Sequence, residues 1–402
     1  MTRKLMNPVK SRNMMKRMKR KKRIPAKNRN TTKRRRRNDM TEKHIGIVAA
    51  PGAPDRLAKQ IKAELPDMLG RELDEDIEWE VSTHVDPLTG YAELIEELYE
   101  KTDEYREKYD WDHTLFITDL PVYHGEMVTT VDINNETGVG LISLPAFGWP
   151  PIKQSVLKTI VSIIRNVREN AGREELTATF NNYLKTSRVF YEEVFLDETD
   201  ANHSVYYIKD SWRGRLRLIA GMSWANNPFN MMRSLSSVVA LAFATGTFSM
   251  LFSTMWNLSN LFPLGRMAAV SLLAVSAMAL WIIISHDLWE RVRGKENKRI
   301  LKLYNGATAL TLFISVLFYF AVLYMMFFTA ALVLLPPGYV VNHIVPDEVT
   351  IVFYIEVAWF AASLSTVVGA IGAGVQDQDL IKKSTYGYRQ RYREQYRSSS
   401  DL

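Results

Sequence analysis

The chain has 402 residues, of which 24% are charged and none is cysteine, and its net charge is +7. This length allows two or three domains, and the lack of cysteine excludes disulfides, thiolate metal sites and a cysteine nucleophile. The net charge describes no single surface, because a basic first segment is followed by an acidic segment and then by a second basic one.

Residues 1–43 form a basic tail, with 19 Lys and Arg against 2 acidic residues and almost no aliphatic side chains to build a core. Its four consecutive arginines could form a non-specific nucleic-acid arm. They could also tether the chain to anionic lipid, with about 1 kcal/mol per basic residue near the surface. A third interpretation, which we favour, is that the tail lies upstream of a true start at Met40. No specific nucleic-acid partner is expected.

Residues 44–210 predict an α/β domain, with 15 Lys and Arg against 32 acidic residues. Three strands separated by helix-length stretches, then a hairpin and a further helix, predict a mostly parallel sheet that is Rossmann-like or flavodoxin-like. The domain is expected in the cytosol, because no apolar signal-peptide segment precedes it. The predicted strands are HIGIVAA, IEWEVSTHV, HTLFIT, MVTTVDI, VGLISL, RVFYEEVFL and SVYYI, and the predicted helices follow PGAPD, cover 91–109 and 150–170, and begin at Arg173.

Residues 211–234 form an amphipathic linker before the membrane segment. It mixes Trp and large aliphatic side chains with three arginines in the stretch SWRGRLRLIAGMSW. Such a mixture beside a membrane span suits a helix that lies on the lipid headgroups. It equally suits an amphipathic helix that packs on the soluble domain, and the sequence leaves both possibilities open.

Residues 235–376 predict an all-α transmembrane domain of four helices. Long stretches without Asp, Glu, Lys or Arg are typical of membrane spans in a chain that is otherwise well supplied with charge. Small residues four positions apart, Ala242 with Gly246 and Ala370 with Gly374, permit close helix contact, and a homo-oligomer is one expected use of them. The predicted spans are about 238–258, 267–285, 307–335 and 349–375.

The flanks of the spans predict their direction in the membrane. The segment before the first span, the 286–304 loop and the C-terminal tail hold 17 Lys and Arg, whereas the other two loops hold only Arg266. By the positive-inside rule both termini face the cytosol, in a plasma membrane of bacterial type. The basic tail 377–402, in which Tyr and Arg alternate, is then expected beside anionic headgroups.

Two loops are candidate ligand sites, because ligands of parallel α/β sheets bind beyond the carboxyl ends of the strands, where the strand order switches. APGAPD follows the first strand and TDLPVYHGE follows the third, and these loops are neighbours if the strands order 2-1-3. A glycine and a helix N-terminus suit an anion, and the second loop adds an acid, a hydroxyl and an imidazole. The candidate residues are Gly52, Asp55, Asp119, Tyr123 and His124.

A structural interpretation of these residues competes with the functional one. Asp55 can cap a helix, while Asp119 and His124 can shape a turn. The chain holds no GxxxxGK[ST], GxGxxG, HExxH or GxSxG motif and no ordered Cys/His cluster. The pattern therefore indicates no catalytic residue, no metal site and no particular cofactor.

Glu356 is the one charged residue of the fourth predicted span. An ionisable group inside a bilayer is costly unless it is paired or hydrated, so it is a functional candidate by default. It could bind a proton or a cation in the bundle. It could also be a protonated or hydrogen-bonded glutamate near the interface.

Taken together, these patterns predict a membrane protein in which a cytosolic α/β domain binds a small ligand or a partner, and a four-helix domain anchors that domain or responds to it. This is a tethered regulatory module. The alternatives are a membrane-bound enzyme that acts through Asp119 and His124, and a small-solute or ion pathway that uses Glu356.

Overall fold

A computed structural model describes residues 41–90, 95–124, 127–134, 136–149, 152–169, 194–200, 203–208, 211–229, 231, 235–291, 298–343 and 349–374. Both basic tails and the predicted helix from Arg173 lie outside these residues, apart from Thr41–Lys43, which begin the first strand. The described residues form an α/β sheet domain and a set of long apolar helices on its C-terminal side.

The α/β domain contains one mixed sheet of eight strands in the order β2-β1-β3-β6-β5-β8-β7, with β4 paired to β5 at the side. β2, β1, β3 and β6 pair in parallel, and the remaining pairs are antiparallel. The strands are β1 Thr41–Ala49, β2 Ile77–Val85, β3 His113–Thr118, β4 Val122–His124, β5 Met127–Asn134, β6 Val139–Ser143, β7 Val194–Asp200 and β8 His203–Ile208.

The sheet is therefore less parallel than the sequence predicts. A short turn joins β5 to β6 and another joins β7 to β8, and a connection of that length can only return the chain antiparallel. The predicted α/β class is confirmed, with a parallel half at β2-β1-β3-β6 and an antiparallel half beyond β6.

Helices cover both faces of the parallel half. Ile45 and Ile47 of β1 point to the face that carries α1, α2 and α4, and their neighbour Val48 points to the face that carries α3. Successive side chains of a strand point to opposite faces of the sheet. Because helices bury both faces here, nearly every residue of the strand has to be apolar. The helices are α1 Ala53–Lys62, α2 Leu65–Glu72, α3 Ile95–Tyr109 and α4 Ile152–Glu169, with single 3₁₀ turns at Pro87–Gly90 and Leu144–Phe147.

Helix α5, Trp212–Ala225, packs between the α/β domain and the apolar helices. Ser211 caps its start by accepting a hydrogen bond from the Gly214 backbone N–H at 3.0 Å. Its buried face contacts the 3₁₀ turn that follows β6, and Ile219 contacts Gly306 on the long helix Lys298–Leu334. α5 is thus a packed connecting helix for most of its surface, with Trp212, Arg213 and Leu216 on its exposed side.

The apolar region contains α6 Ser236–Ser249, α7 Ser253–Leu261, α8 Leu264–Ser285, α9 Lys298–Leu334, the short α10 Pro337–Val340 and α11 Ile351–Ala373. Three of them, α8, α9 and α11, are long and apolar enough to cross a membrane. α11 packs against α6, α7, α8 and α9. Many residues on its buried face, among them Ala358, Ala362 and Gly369, are small enough to admit close neighbours.

The first predicted span, 238–258, is not one straight helix. α6 and α7 meet at an angle of 95°, so they form either one broken span or a re-entrant loop. Helix α6 has 14 residues and measures about 21 Å at 1.5 Å per residue, which is shorter than a hydrocarbon core of about 30 Å. At the break, the Trp256 indole N–H donates to the Met250 carbonyl at 2.7 Å and satisfies a carbonyl that the end of α6 leaves free.

The predicted span 267–285 lies within α8, the span 307–335 follows α9 to one residue beyond its end at Leu334, and the span 349–375 extends two residues beyond each end of α11. Helix α9 begins at Lys298, nine residues before the predicted span, because the polar stretch ahead of Ala307 continues the same helix. The glycines predicted to permit close helix contact, Gly246 and Gly374, pack against other helices of the same chain. A Cβ placed on Gly246 would lie 2.0 Å from the Ser365 hydroxyl oxygen, and one on Gly374 would lie 2.9 Å from the Trp281 indole nitrogen.

Candidate functional site

The carboxyl ends of β2, β1 and β3 meet at one edge of the sheet, in the predicted order 2-1-3. The Ala50 N–H donates to the Ile117 carbonyl at 3.0 Å, and the Asp86 N–H donates to the Ala49 carbonyl at 3.1 Å. The loops that follow these strands are therefore neighbours. A ligand of the α/β domain is expected at this edge, because the strand order switches there.

Gly52 occupies the turn between β1 and α1 with a φ of 108°, a backbone conformation that a side chain would strain. Gly52 occupies the N-cap position of α1, directly before its first residue. Asp55 lies three residues later and therefore does not cap this helix. It lies in the first turn, where a carboxylate is favoured by the helix dipole, and one of its oxygens accepts a hydrogen bond from Lys59 at 2.9 Å.

Asp119 lies in the turn after β3, where its side chain is fully buried and engaged by another group of the protein. Two hydrogen bonds fix this turn. The Leu120 N–H donates to the Thr118 hydroxyl at 3.2 Å, and the Ser143 hydroxyl donates to the Leu120 carbonyl at 2.8 Å, which ties β3 to the end of β6. A ligand would have to open this turn in order to reach the Asp119 carboxylate.

Tyr123 and His124 belong to β4, which pairs with β5 rather than with β1 or β3. The Tyr123 ring is partly buried and packs against the core of the domain. The His124 side chain lies outside the described part of the structure. The structure thus brings the Gly52 and Asp55 loop beside the Asp119 turn, and places the two β4 residues on a different pair of strands.

A cavity of about 180 Å³ lies beside this loop, where α1 faces the end of α5. One wall is formed by the first two turns of α1, beginning at the residue after Gly52. The opposite wall is aromatic and comes from segments that are distant in the sequence, so the sequence patterns did not reveal the cavity. Its lining residues are Ala53, Arg56, Leu57, Gln60, Trp149, Trp224, Asn227, Pro228 and Phe229.

Two backbone conformations shape the aromatic wall. Gly148 has a φ of 77°, and a Cβ at this position would lie 3.0 Å from Cγ of Arg217, so only glycine suits the approach to Trp149. Asn227 has a φ of 55° and follows the end of α5, where asparagine is one of the few residues that adopt this left-handed conformation readily. These two turns place Trp149 and Phe229 in the cavity wall opposite α1.

The helix α3 is held to the end of β2 by Tyr105, whose hydroxyl donates to the Asp86 carboxylate at 2.5 Å. Burial raises the pKa of the Tyr105 phenol well above its usual range, and the hydrogen bond to Asp86 and the charge of that carboxylate raise it further. Tyr105 therefore stays protonated and acts as a hydrogen-bond donor. It stacks with Trp111, so this part of the edge is a packed aromatic cluster.

Within the described residues, one group of histidine and carboxylate side chains is compact enough for a metal ion, and it consists of Glu42, His44 and Glu80. It lies near the amino ends of β1 and β2, away from the cavity. The two ring nitrogens of His44 face different carboxylates, Nε2 toward Glu42 at 3.6 Å and Nδ1 toward Glu80 at 3.5 Å. A single ion would contact only one of these nitrogens, so the geometry is that of an imidazole between two carboxylates.

Glu356 lies in the second turn of α11, and its side chain is partly buried. Within the described residues, no hydrogen bond or ion pair involves its carboxyl group. Its neighbours in sequence, Tyr354 and Val357, are buried among the apolar helices. The position agrees with the predicted one, inside an otherwise uncharged helix.

No known protein family matches this chain, and no curated protein or solved structure is significantly similar to it, so the function has to be argued from its own geometry.

Proposed function

We propose that the chain is a membrane-anchored regulatory module, in which ligand or partner binding at the carboxyl edge of the sheet alters the membrane helices through α5 and α9. The single observation that carries the proposal is the continuity of the hydrophobic core. Leu218 and Met222 of α5, together with Leu303 and Ala307 of α9, belong to the same buried cluster as the strands β1 and β3.

A continuous core joins the parts of a protein more tightly than a flexible linker does, because interior side chains are close-packed and transmit displacement. Hydrogen bonds across the junction support the same proposal. Arg217 donates from α5 to backbone carbonyls of the α/β domain, and Asn226 donates to the Thr311 hydroxyl of α9 at 3.0 Å.

The proposed location is the cytosolic side of a bacterial-type plasma membrane, as the distribution of Lys and Arg favours. A protease added to intact cells should then leave residues 41–208 uncut, and should cut them in inverted vesicles. Digestion from outside intact cells would contradict the proposed orientation.

Hydrogen exchange of the full chain in nanodiscs tests the coupling. Gly52→Val distorts the loop after β1, since the φ of 108° does not suit a branched side chain. The proposal expects faster exchange in this loop and also in α5 and the first turns of α9. Gly138→Val is the matched control, because Gly138 also has a positive φ. It lies in the β5–β6 turn, at the amino ends of the parallel strands and away from the Gly52 loop. Changes that stop at the α1 loop would contradict the coupling.

A second candidate function, an ion or small-solute pathway through the apolar helices, is favoured by the carboxyl group of Glu356. Such a group is expensive in a bilayer and typical of transport paths. Glu356→Gln removes its charge and keeps its shape. A change in proton or cation flux across proteoliposomes would support this function, and equal flux for the variant and the original protein would exclude a role for Glu356 in it.

A further inference from the structure

We propose that the cavity between α1 and the end of α5 binds the headgroup of an anionic phospholipid from the adjacent leaflet. The occupant is a membrane lipid whose phosphate contacts Arg56 and whose chains stay in the bilayer. The inference requires that α8, α9 and α11 cross a membrane, and it does not depend on the proposed coupling between the domains.

The cavity lies at the expected height of the membrane surface. Helix α9 has 37 residues and is about 55 Å long, whereas about 20 residues cross a hydrocarbon core. Counting back from its far end at Leu334 places the near boundary of the core around Ser315. The Ser315 hydroxyl donates to the carbonyl of Pro228, a residue of the cavity wall, at 3.0 Å.

The aromatic wall of the cavity reaches toward the lipid. Phe229 is 56% exposed, and its ring centroid lies 4.1 Å from that of Phe318, about one turn deeper along α9. Trp149 is 39% exposed. Trp side chains such as that of Trp149 are typical of membrane interfaces, where the apolar ring contacts acyl chains and the indole N–H stays hydrated, and the exposed Phe229 ring adds apolar surface for the acyl chains.

The opposite wall supplies a cation for the phosphate. Arg56 is exposed on α1, and within the described residues no hydrogen bond or ion pair involves its guanidinium group. Guanidinium groups bind phosphate oxygens through paired N–H donors. Asp55, the nearest carboxylate along the chain, is paired with Lys59 and so leaves the charge of Arg56 available.

The size of the cavity agrees with a headgroup rather than a whole lipid. A volume of about 180 Å³ corresponds to about six water molecules at about 30 Å³ each. A phosphate and the polar group attached to it fill such a space, and Gln60 adds a hydrogen-bonding side chain at its edge. The exposed aromatic rim explains why the ligand is a lipid and not a free phosphate compound.

Native mass spectrometry of the detergent-solubilised full chain tests the proposal, with phosphatidylglycerol and phosphatidylcholine of identical chains as probes. The original protein should bind the first phosphatidylglycerol more tightly than phosphatidylcholine. Arg56→Gln should weaken phosphatidylglycerol binding about fivefold to tenfold and weaken phosphatidylcholine binding less, because the choline cation offsets the charge of its phosphate. Gln60→Trp, which fills the cavity without changing the charge, should weaken it at least as much.

Lys62→Gln is the matched control, because Lys62 is an exposed cation on the same helix that does not line the cavity. It should change binding less than twofold. Equal losses in Arg56→Gln and Lys62→Gln would overturn the proposal in favour of diffuse attraction. Equal binding of the two lipids would overturn it as well. Displacement of the lipid by glycerol phosphate at similar concentration would show instead that the site takes a soluble phosphate.

Discussion

The guanidinium group of Arg217 on α5 donates through Nε to the backbone carbonyl of Ala146 at 2.6 Å, across the junction between the α/β domain and the membrane helices. A second nitrogen, Nη2, donates to the Phe147 carbonyl at 3.4 Å. The side chain is 1% exposed. A charged group this deeply buried is stable only when it is hydrogen-bonded, so the turn after β6 and α5 depend on one another.

Arg217→Met should therefore destabilise the protein by about 2 to 4 kcal/mol, since the change keeps an unbranched apolar stem but removes the guanidinium group and leaves two buried carbonyls without their donor. Denaturant unfolding of the full chain in detergent would measure the loss. Arg213→Met provides the control, because Arg213 is an exposed cation on the same helix and its loss should cost less than about 0.5 kcal/mol. Similar losses in both variants would show that the buried hydrogen bonds contribute little.

Gly221→Ala should also weaken this junction. A Cβ at position 221 would lie 2.4 Å from the Pro145 carbonyl oxygen, which is backbone and cannot rotate away, so α5 would be pushed off the turn. We expect a loss of about 1 to 3 kcal/mol in the free energy of unfolding. Gly70→Ala in α2 meets no atom within 4 Å. It should instead stabilise the protein by about 0.5 to 1 kcal/mol, because alanine is the better helix former.

Much of this fold could be predicted from local sequence patterns. The strands Ile77–Val85 and His113–Thr118 have the predicted bounds, because a strong alternation or a short buried run ends at clear turn residues. The span over α8 was predicted for a similar reason, since an uncharged stretch of that length has few other uses.

Features that depend on distant contacts could not be predicted in this way. At the break between α6 and α7, Trp256 bonds to Met250 and both helices pack against α11, and neither contact leaves a periodic signal in the sequence. The cavity joins α1 to residues near Trp149 and Trp224, which meet only in the folded chain. The sequence predicts candidate residues such as Asp119 from their chemical type, and burial is a property that chemical type does not determine.

His113 should make the stability of the α/β domain depend on pH. Burial lowers the pKa of its imidazole to about 4, against the raising effect of Asp112. Between about pH 6.5 and pH 4 the unfolded chain binds a proton at this residue that the folded chain does not. This contribution to stability is therefore complete above about pH 6.5 and is lost as the pH falls toward 4.

Since one pKa unit corresponds to about 1.4 kcal/mol, the loss from His113 should reach about 2 to 3 kcal/mol by about pH 4.5. His113→Gln cannot titrate and should flatten this part of the pH profile, whatever its effect on stability at neutral pH. Denaturant midpoints measured between pH 7 and pH 4.5 for both proteins would show the difference. Parallel profiles would mean that the imidazole is no harder to protonate in the folded state than in the unfolded one.

Trp256→Phe should destabilise the bend between α6 and α7. The phenyl ring keeps most of the buried apolar contact but lacks the indole N–H that donates to the Met250 carbonyl. In an apolar region no water replaces the lost donor, so we expect a loss of about 1 to 3 kcal/mol. Trp281→Phe is the control, because the Trp281 ring on α8 is 46% exposed and should tolerate the same change with less than about 1 kcal/mol. Thermal unfolding in detergent compares the two variants, and an equal loss in both would mean that the geometry of the bend does not depend on this hydrogen bond.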